Sequence, residues 1–71
     1  LKTVDLQGMK VAVQGLGNVG KNLCQHLYEN GAKLYVTDIS YEKANEVKHL
    51  FGATVVEPDD IYAQDVDIFS P

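Results

Sequence analysis

The sequence predicts an α/β fold built around a doubly wound parallel sheet. Short apolar runs alternate along the chain with segments whose apolar residues recur at helical spacing, which is typical of strands connected by helices. Residues 11–13 (Val-Ala-Val) are continuously apolar, as expected of a strand that is covered on both faces. A glycine-rich turn at residues 15–20 follows this run directly and opens the first helical segment. These observations predict the order β-α-β-α-β, followed by a short helix and a fourth strand.

The first strand is predicted at Lys10–Gln14 and the first helix at residues 18–30. Successive helical residues are rotated by about 100°, so this helix should bury one apolar stripe and expose its charged residues. Gly31 provides the stop, because glycine readily adopts the left-handed conformation that ends many helices. The predicted stripe contains Val19, Gly20, Leu23, Cys24 and Leu27.

The second strand is predicted at Lys33–Thr37, and Ser40 is a suitable N-cap for a second helix that Gly52 ends. The opening residues 1–8 have no clear pattern, although Leu6 is expected to pack at the sheet edge. The predicted apolar face of the second helix consists of Tyr41, Ala44, Val47, Leu50 and Phe51. The remaining elements are a third strand at residues 53–56, a helical turn at 61–64 and a fourth strand at 66–69.

Residues 15–20 (Gly-Leu-Gly-Asn-Val-Gly) match the G-x-G-x-x-G pattern of dinucleotide-binding Rossmann folds. Gly15 is expected to allow a tight turn in which a Cβ would clash, and Gly17 to let the backbone approach a pyrophosphate. Gly20 lies on the predicted buried stripe and should let helix and strand pack closely. The backbone N–H groups of residues 17–19 would then point at the phosphates, at the positive end of the helix dipole. The alternative is a purely structural strand-turn-helix.

Asp38 ends the second strand, eighteen residues after Gly20. A carboxylate at this place can accept hydrogen bonds from both hydroxyls of the adenosine ribose and would repel a 2′-phosphate. The chain contains no arginine to receive such a phosphate, so NAD is predicted as the cofactor over NADP. Two alternatives stay open. Asp38 could instead cap only the following turn, and Ile39 could either line the adenine pocket or pack within the loop.

The length and charge of the chain fit one part of a larger enzyme. A complete dinucleotide site needs two mononucleotide-binding halves, with about 30 residues in one βαβ unit. The 71 residues supply about one half, so residues 1–71 are interpreted as the first part of a dinucleotide-binding Rossmann domain. The net charge of −4 and the dispersed lysines argue against a nucleic-acid partner.

The remaining reactive residues predict no catalytic or metal site. Cys24 lies on the buried helix stripe, and a single cysteine weakly favours a reducing compartment. His26 and His49 are expected on the surface, and Asp59 and Asp60 in a turn. No apolar run approaches the roughly 20 residues that span a bilayer, so no membrane partner is expected and the cytoplasm is the expected location.

Several segments in register resemble the amino-acid dehydrogenase family, which contains the glutamate, leucine, phenylalanine and valine dehydrogenases. They are VAVQGLGNVG at residues 11–20, GAKLYVTDI at 31–39, FGA at 51–53 and DIFSP at 67–71. The stretch EPDDIY at 57–62 favours the leucine/phenylalanine/valine branch. The resemblance implies a homo-oligomeric enzyme that reversibly deaminates a branched-chain or aromatic L-amino acid with NAD, giving the 2-oxo acid and ammonia.

In this family the catalytic residues belong to a preceding domain, so the resemblance assigns none to this chain. The sequence departs from many leucine-type members at Gly20 and at Ser70, where those members have alanine. Gly20 matches the glutamate branch instead, which leaves the amino acid open. The predicted cofactor-binding residues are Gly15, Leu16, Gly17, Asn18, Val19, Gly20, Lys21, Asp38 and Ile39.

Two other hypotheses fit parts of the sequence. Regulatory nucleotide-sensing domains of potassium transport systems share the layout of strand, glycine loop, helix, strand and aspartate, and catalyse nothing. VQG at residues 13–15, VTDI at 36–39 and DIF at 67–69 favour the dehydrogenase. A structural hypothesis is that the chain folds only when its open sheet edge pairs with another copy.

Overall fold

A computed structural model describes residues 6–71 and confirms the predicted α/β fold. All strand pairs are parallel, and the strand order in the sheet is β3-β2-β1-β4, the order of a Rossmann fold up to its fourth strand. Most of the patternless opening, residues 1–5, lies outside the described residues. The elements are β1 (Lys10–Gln14), α1 (Asn18–Glu29), β2 (Lys33–Thr37), α2 (Tyr41–Phe51), β3 (Thr54–Val55), a 3-10 helix (Pro58–Ala63) and β4 (Ile68–Ser70).

One face of the sheet carries both α-helices. In the parallel register Val11 lies opposite Leu34 and Val13 opposite Val36, so these side chains share a face. They form one core cluster with the buried residues of the helices, and Leu6, which was expected at the sheet edge, packs against this cluster. The helical residues in the cluster are Cys24 and Leu27 of α1 and Ala44 and Val47 of α2.

The 3-10 helix covers part of the opposite face. Ala12 of β1 lies opposite Tyr35 in β2 and Phe69 in β4, and alternation along the strands turns these residues away from the α-helices. The 3-10 helix contacts β1 and β2, and its Ile61 is fully buried. The sheet therefore lies between two α-helices on one side and a short turn of 3-10 helix on the other.

Four element boundaries differ from the prediction. The first helix ends at Glu29, one residue earlier than predicted, and β3 is only two residues long. The 3-10 helix begins at Pro58, not at residue 61, because the fixed φ of proline suits the first position of a helix. The fourth strand is displaced towards its carboxyl end, to Ile68–Ser70.

Three residues predicted on buried helix stripes are exposed, and the prediction is wrong for them. Val19 is 84 %, Tyr41 76 % and Leu50 52 % exposed. Val19 and Tyr41 belong to the first turns of α1 and α2, which extend past the carboxyl ends of the strands. Leu50 lies about 120° around the helix from Ala44, at the margin of the face that contacts the sheet.

The thiol of Cys24 is buried between α1 and the sheet, as predicted. Burial raises its pKa to about 11, because removal from water disfavours the thiolate. We predict that Cys24 of the native protein reacts slowly with a disulfide reagent at pH 8 and at the rate of a free cysteine in denaturing urea. Equal rates in the two conditions would contradict its burial.

Within residues 6–71, no helix is long and apolar enough to cross a bilayer.

Candidate functional site

The adjacent ends of β1 and β2 create the candidate site. Gln14 lies opposite Thr37 in the register, so the glycine loop after β1 and Asp38 after β2 leave the sheet side by side. Gly15 has φ +90°, a value that side-chain-bearing residues rarely adopt. No atom lies within 4 Å of a Cβ built at Gly15, so the expected steric clash is wrong and the backbone conformation alone requires glycine there.

Gly17 and Gly20 have different surroundings. A Cβ built at Gly17 meets no atom within 4 Å, so the space beside this residue is open. A Cβ at Gly20 would overlap the carbonyl oxygen of Gly15 and lie 3.1 Å from its carbonyl carbon. The absence of a side chain at Gly20 therefore lets α1 start directly against the end of β1.

The start of α1 presents free backbone donors. Gly17 is the N-cap and has no side-chain cap. Among residues 6–71, no group accepts a hydrogen bond from the N–H groups of Gly17, Asn18 and Val19. The N–H of Leu16 differs, because it donates to Asp38 Oδ2 at 2.6 Å. Three free donors at the positive end of a helix suit the oxygens of a phosphate.

Asp38 connects the glycine loop to the start of α2. Its Oδ1 accepts from the Ser40 N–H at 2.7 Å, while Oδ2 accepts from Leu16. The pKa of this carboxyl is lowered, first by the Ser40 hydrogen bond, then by that of Leu16, with a smaller contribution from the charge of Lys43. Asp38 therefore does cap the following turn, the alternative considered above. Each carboxylate oxygen can accept a further hydrogen bond, so the cap leaves capacity for ribose hydroxyls.

Lys21 and Ile39 complete the set of predicted site residues. Lys21 Nζ pairs with Glu46 Oε1 of α2 at 2.7 Å, so its charge is directed towards α2 and not to the loop donors. Ile39 follows Asp38 and is 97 % exposed. An apolar side chain in this position has no packing partner in the loop, which favours the adenine-pocket interpretation over loop packing.

Two clefts meet at the glycine loop. The Asp38 cleft, of about 290 Å³, is lined by Gln14, Gly15, Thr37, Asp38, Ile39 and Pro58. The loop cleft, of about 400 Å³, lies between β1 and β4, where the strand order reverses. Ligands of open α/β sheets bind at this reversal. The loop cleft is lined by Val13, Gln14, Gly15, Gly17, Asn18, Val19, Gly20, Leu23, Ser70 and Pro71.

The residues present fit a dinucleotide. The open space at Gly17 admits a diphosphate to the free N–H donors, and Asp38 lies in the neighbouring cleft at a position suited to an adenosine ribose. Sequence reasoning missed Gln14, Thr37 and Pro58 as lining residues. Gln14 and Thr37 could have been found from their position as the last residues of neighbouring strands. Thr37 is buried, and its Oγ1 has no hydrogen-bond partner within the described part of the chain.

The lowered pKa of Asp38 predicts a component of acid sensitivity. Its hydrogen bonds stabilise the ionised form in the folded state. Their contribution to the free energy of unfolding is therefore complete above the ordinary aspartate pKa of about 3.9. It is lost as the pH falls below that value and through the lower folded-state pKa. We predict that Asp38→Asn flattens the decrease in the free energy of unfolding between about pH 5 and pH 2, measured by urea denaturation. Asp65→Asn, at an exposed carboxylate that accepts neither of these hydrogen bonds, is the matched control.

Comparisons with known proteins agree with this geometry. The family model described as the NAD binding domain of 6-phosphogluconate dehydrogenase matches residues 10–69. The L-tryptophan dehydrogenase of Nostoc punctiforme is 71 % identical over 93 % of the chain, and the leucine dehydrogenase of Bacillus subtilis is 54 % identical over 97 %. The crystal structure of the Nostoc enzyme superimposes with a TM-score of 0.92 at 69 % identity, over 94 % of this chain.

The matches cover only part of the relatives. The chain spans 19 % of the length of both curated relatives and 20 % of the crystallised chain. The match to residues 10–69 bears out NAD as the predicted cofactor, and the identities bear out the resemblance stated from the sequence. The chain thus belongs to the NAD-binding domain family, and its sequence is similar to that of the amino-acid dehydrogenases.

Proposed function

We propose that residues 1–71 form the first, adenosine-binding part of the NAD-binding domain of an L-amino-acid dehydrogenase. The observation that carries this proposal is the connection from the Asp38 carboxylate to the glycine loop, beside three free N–H donors at the strand-order reversal. The nine predicted cofactor-binding residues are proposed as the site, with Lys21 acting through its ion pair to Glu46.

The role of this chain in the reaction is binding and orientation. Bound NAD supplies the acceptor for the hydride of the amino acid. Asp38 would accept hydrogen bonds from the ribose hydroxyls, and the N–H groups of residues 17–19 would hold the diphosphate. These contacts would fix one half of the cofactor, and Ser70, which lines the loop cleft, would lie beside the path of its other half. The catalytic groups are proposed to lie outside residues 1–71.

The substrate is proposed to be a branched-chain or aromatic L-amino acid. The names of the two curated relatives, a tryptophan and a leucine dehydrogenase, support this class. The whole enzyme is further proposed to be a cytoplasmic homo-oligomer. These similarities do not favour the alternative of a regulatory domain of a potassium transport system.

The experiment that tests the activity uses the whole protein that contains this chain. L-Tryptophan, L-phenylalanine and L-leucine are offered separately with NAD⁺, and the formation of NADH is followed by its absorbance. NADH formation with at least one of them, and none with L-glutamate, is the expected result. NAD⁺ binding without oxidation of any of the four would reject the dehydrogenase and favour a regulatory domain.

A further inference from the structure

Gln14 lies at the boundary between the two clefts. It is the last residue of β1, directly before Gly15. Of the residues that the structure describes, only Gln14 and Gly15 line both the Asp38 cleft and the loop cleft. A dinucleotide that spans both clefts has to pass beside these two residues, and only Gln14 has a side chain with hydrogen-bonding groups.

Tyr62 of the 3-10 helix fixes the orientation of this side chain. Its hydroxyl donates to Gln14 Oε1 at 3.0 Å. The Tyr62 ring stacks on Phe69 of β4, with 5.1 Å between ring centroids and 12° between ring planes. Tyr62 therefore contacts the last residue of β1 and the middle residue of β4, the two strands that flank the loop cleft, and the stack limits the positions available to its hydroxyl.

The hydrogen bond from Tyr62 leaves the other end of the Gln14 amide available. Nε2 carries two N–H donors, and no residue in the range 6–71 accepts from them. The part of a dinucleotide that passes from one cleft to the other consists of ribose and diphosphate, whose oxygens are hydrogen-bond acceptors. The donors of Gln14 and these acceptors are chemically complementary.

We infer that Gln14 is a further cofactor-binding residue, whose Nε2 donates to a ribose or diphosphate oxygen, and that Tyr62 is the positioning residue that orients it. The inference rests on the proposed NAD site. It adds a side-chain donor from the end of β1 to the backbone donors of α1, and it gives the 3-10 helix a role in binding. Without the Tyr62 hydroxyl, the amide of Gln14 can rotate and its donors are less often aligned.

The test measures the Kd of NAD⁺ for Gln14→Met, Tyr62→Phe and the double variant. Gln14→Met keeps the length of the side chain but removes its donors, so Kd is expected to rise about tenfold. Tyr62→Phe should raise Kd about threefold, because the donors remain but are less well oriented. The double variant should bind as Gln14→Met does, since Tyr62 acts only through Gln14. Matched controls are Gln25→Met, at an exposed position of α1, and Tyr28→Phe, which make the same changes outside both clefts.

A second substitution of the same residue, Gln14→Glu, tests the contact with the cofactor in a variant that keeps the hydrogen bond from Tyr62. The carboxylate still accepts from Tyr62 but places a negative charge beside the diphosphate, so its Kd should rise more than that of Gln14→Met. Unchanged affinity in Gln14→Met and Gln14→Glu would overturn the inference while leaving the NAD site in place. If Tyr62→Phe raises the Kd of NAD⁺ by the same factor in the parent protein and in Gln14→Met, Tyr62 is merely structural and its positioning role is rejected. A parent protein that does not bind NAD⁺ would reject both the inference and the proposed function.

Discussion

Replacing Asp38 with alanine is expected to lower both the affinity for NAD⁺ and the stability of the fold. The substitution removes the acceptor of the Leu16 and Ser40 N–H groups. A part-buried N–H without a partner costs about 1–3 kcal/mol, so the free energy of unfolding should fall by roughly that amount. Loss of the charge-assisted bonds to the ribose should raise the Kd of NAD⁺ by about 10- to 100-fold. Urea denaturation and calorimetric titration measure the two quantities.

Two further variants separate these effects. Asp38→Asn keeps one oxygen acceptor, so it should retain part of the stability while losing the charge that favours binding. Asp65→Ala removes an exposed carboxylate that takes no part in the site, and both quantities should match the parent. If Asp38→Ala binds NAD⁺ as tightly as the parent, Asp38 is only a turn cap and its ribose role is wrong.

Gly20→Val is expected to disrupt the glycine loop, whereas Gly17→Ala should affect only binding. A Cβ at Gly20 overlaps the Gly15 carbonyl oxygen, a backbone atom that moves only with the loop. Overpacking of this kind costs about 1–3 kcal/mol, and the displaced loop should no longer bind NAD⁺ measurably. The Gly17 Cβ meets nothing, and its φ of −67° suits any residue, so stability should change by less than about 0.5 kcal/mol.

The affinity of Gly17→Ala for NAD⁺ tests whether bound cofactor occupies the open space beside residue 17. The methyl group would occupy the position beside the free N–H donors, so the Kd of NAD⁺ should rise about tenfold in a protein of unchanged stability. A Gly17→Ala variant with parental affinity would mean that the diphosphate does not approach this residue. A Gly20→Val variant with parental stability would contradict the close approach of α1 to the end of β1.

Local patterns predicted the central elements well. The limits of β1 and β2 are correct because three or more adjacent apolar residues are flanked by turn-forming glycine and aspartate. The start of α1 follows from the glycine motif. The exposed positions of Val19 and Tyr41 could not be obtained in this way, because helical periodicity shows which side is apolar but not where the sheet beneath the helix ends.

The sequence pattern could not predict the contacts between different helices, strands and loops. The bond from Leu16 to Asp38 depends on how far the loop extends past the strand ends, which is set by the register of β1 with β2. The pairing of Lys21 with Glu46 depends on the packing of α1 on α2. Tyr62 reaches Gln14 because the 3-10 helix packs on β1 and β2 across the face opposite the α-helices, a placement that the local sequence does not show.

Calorimetric titration of the protein with NAD⁺ and NADP⁺, under identical conditions at pH 7, tests the central claim most directly. The lowered pKa of Asp38 keeps its carboxylate ionised at this pH, and a 2′-phosphate would approach that charge in the Asp38 cleft. NAD⁺ should therefore bind at least about tenfold more tightly than NADP⁺. Equal affinities, tighter binding of NADP⁺, or no binding of either would contradict an NAD site formed by the glycine loop and Asp38.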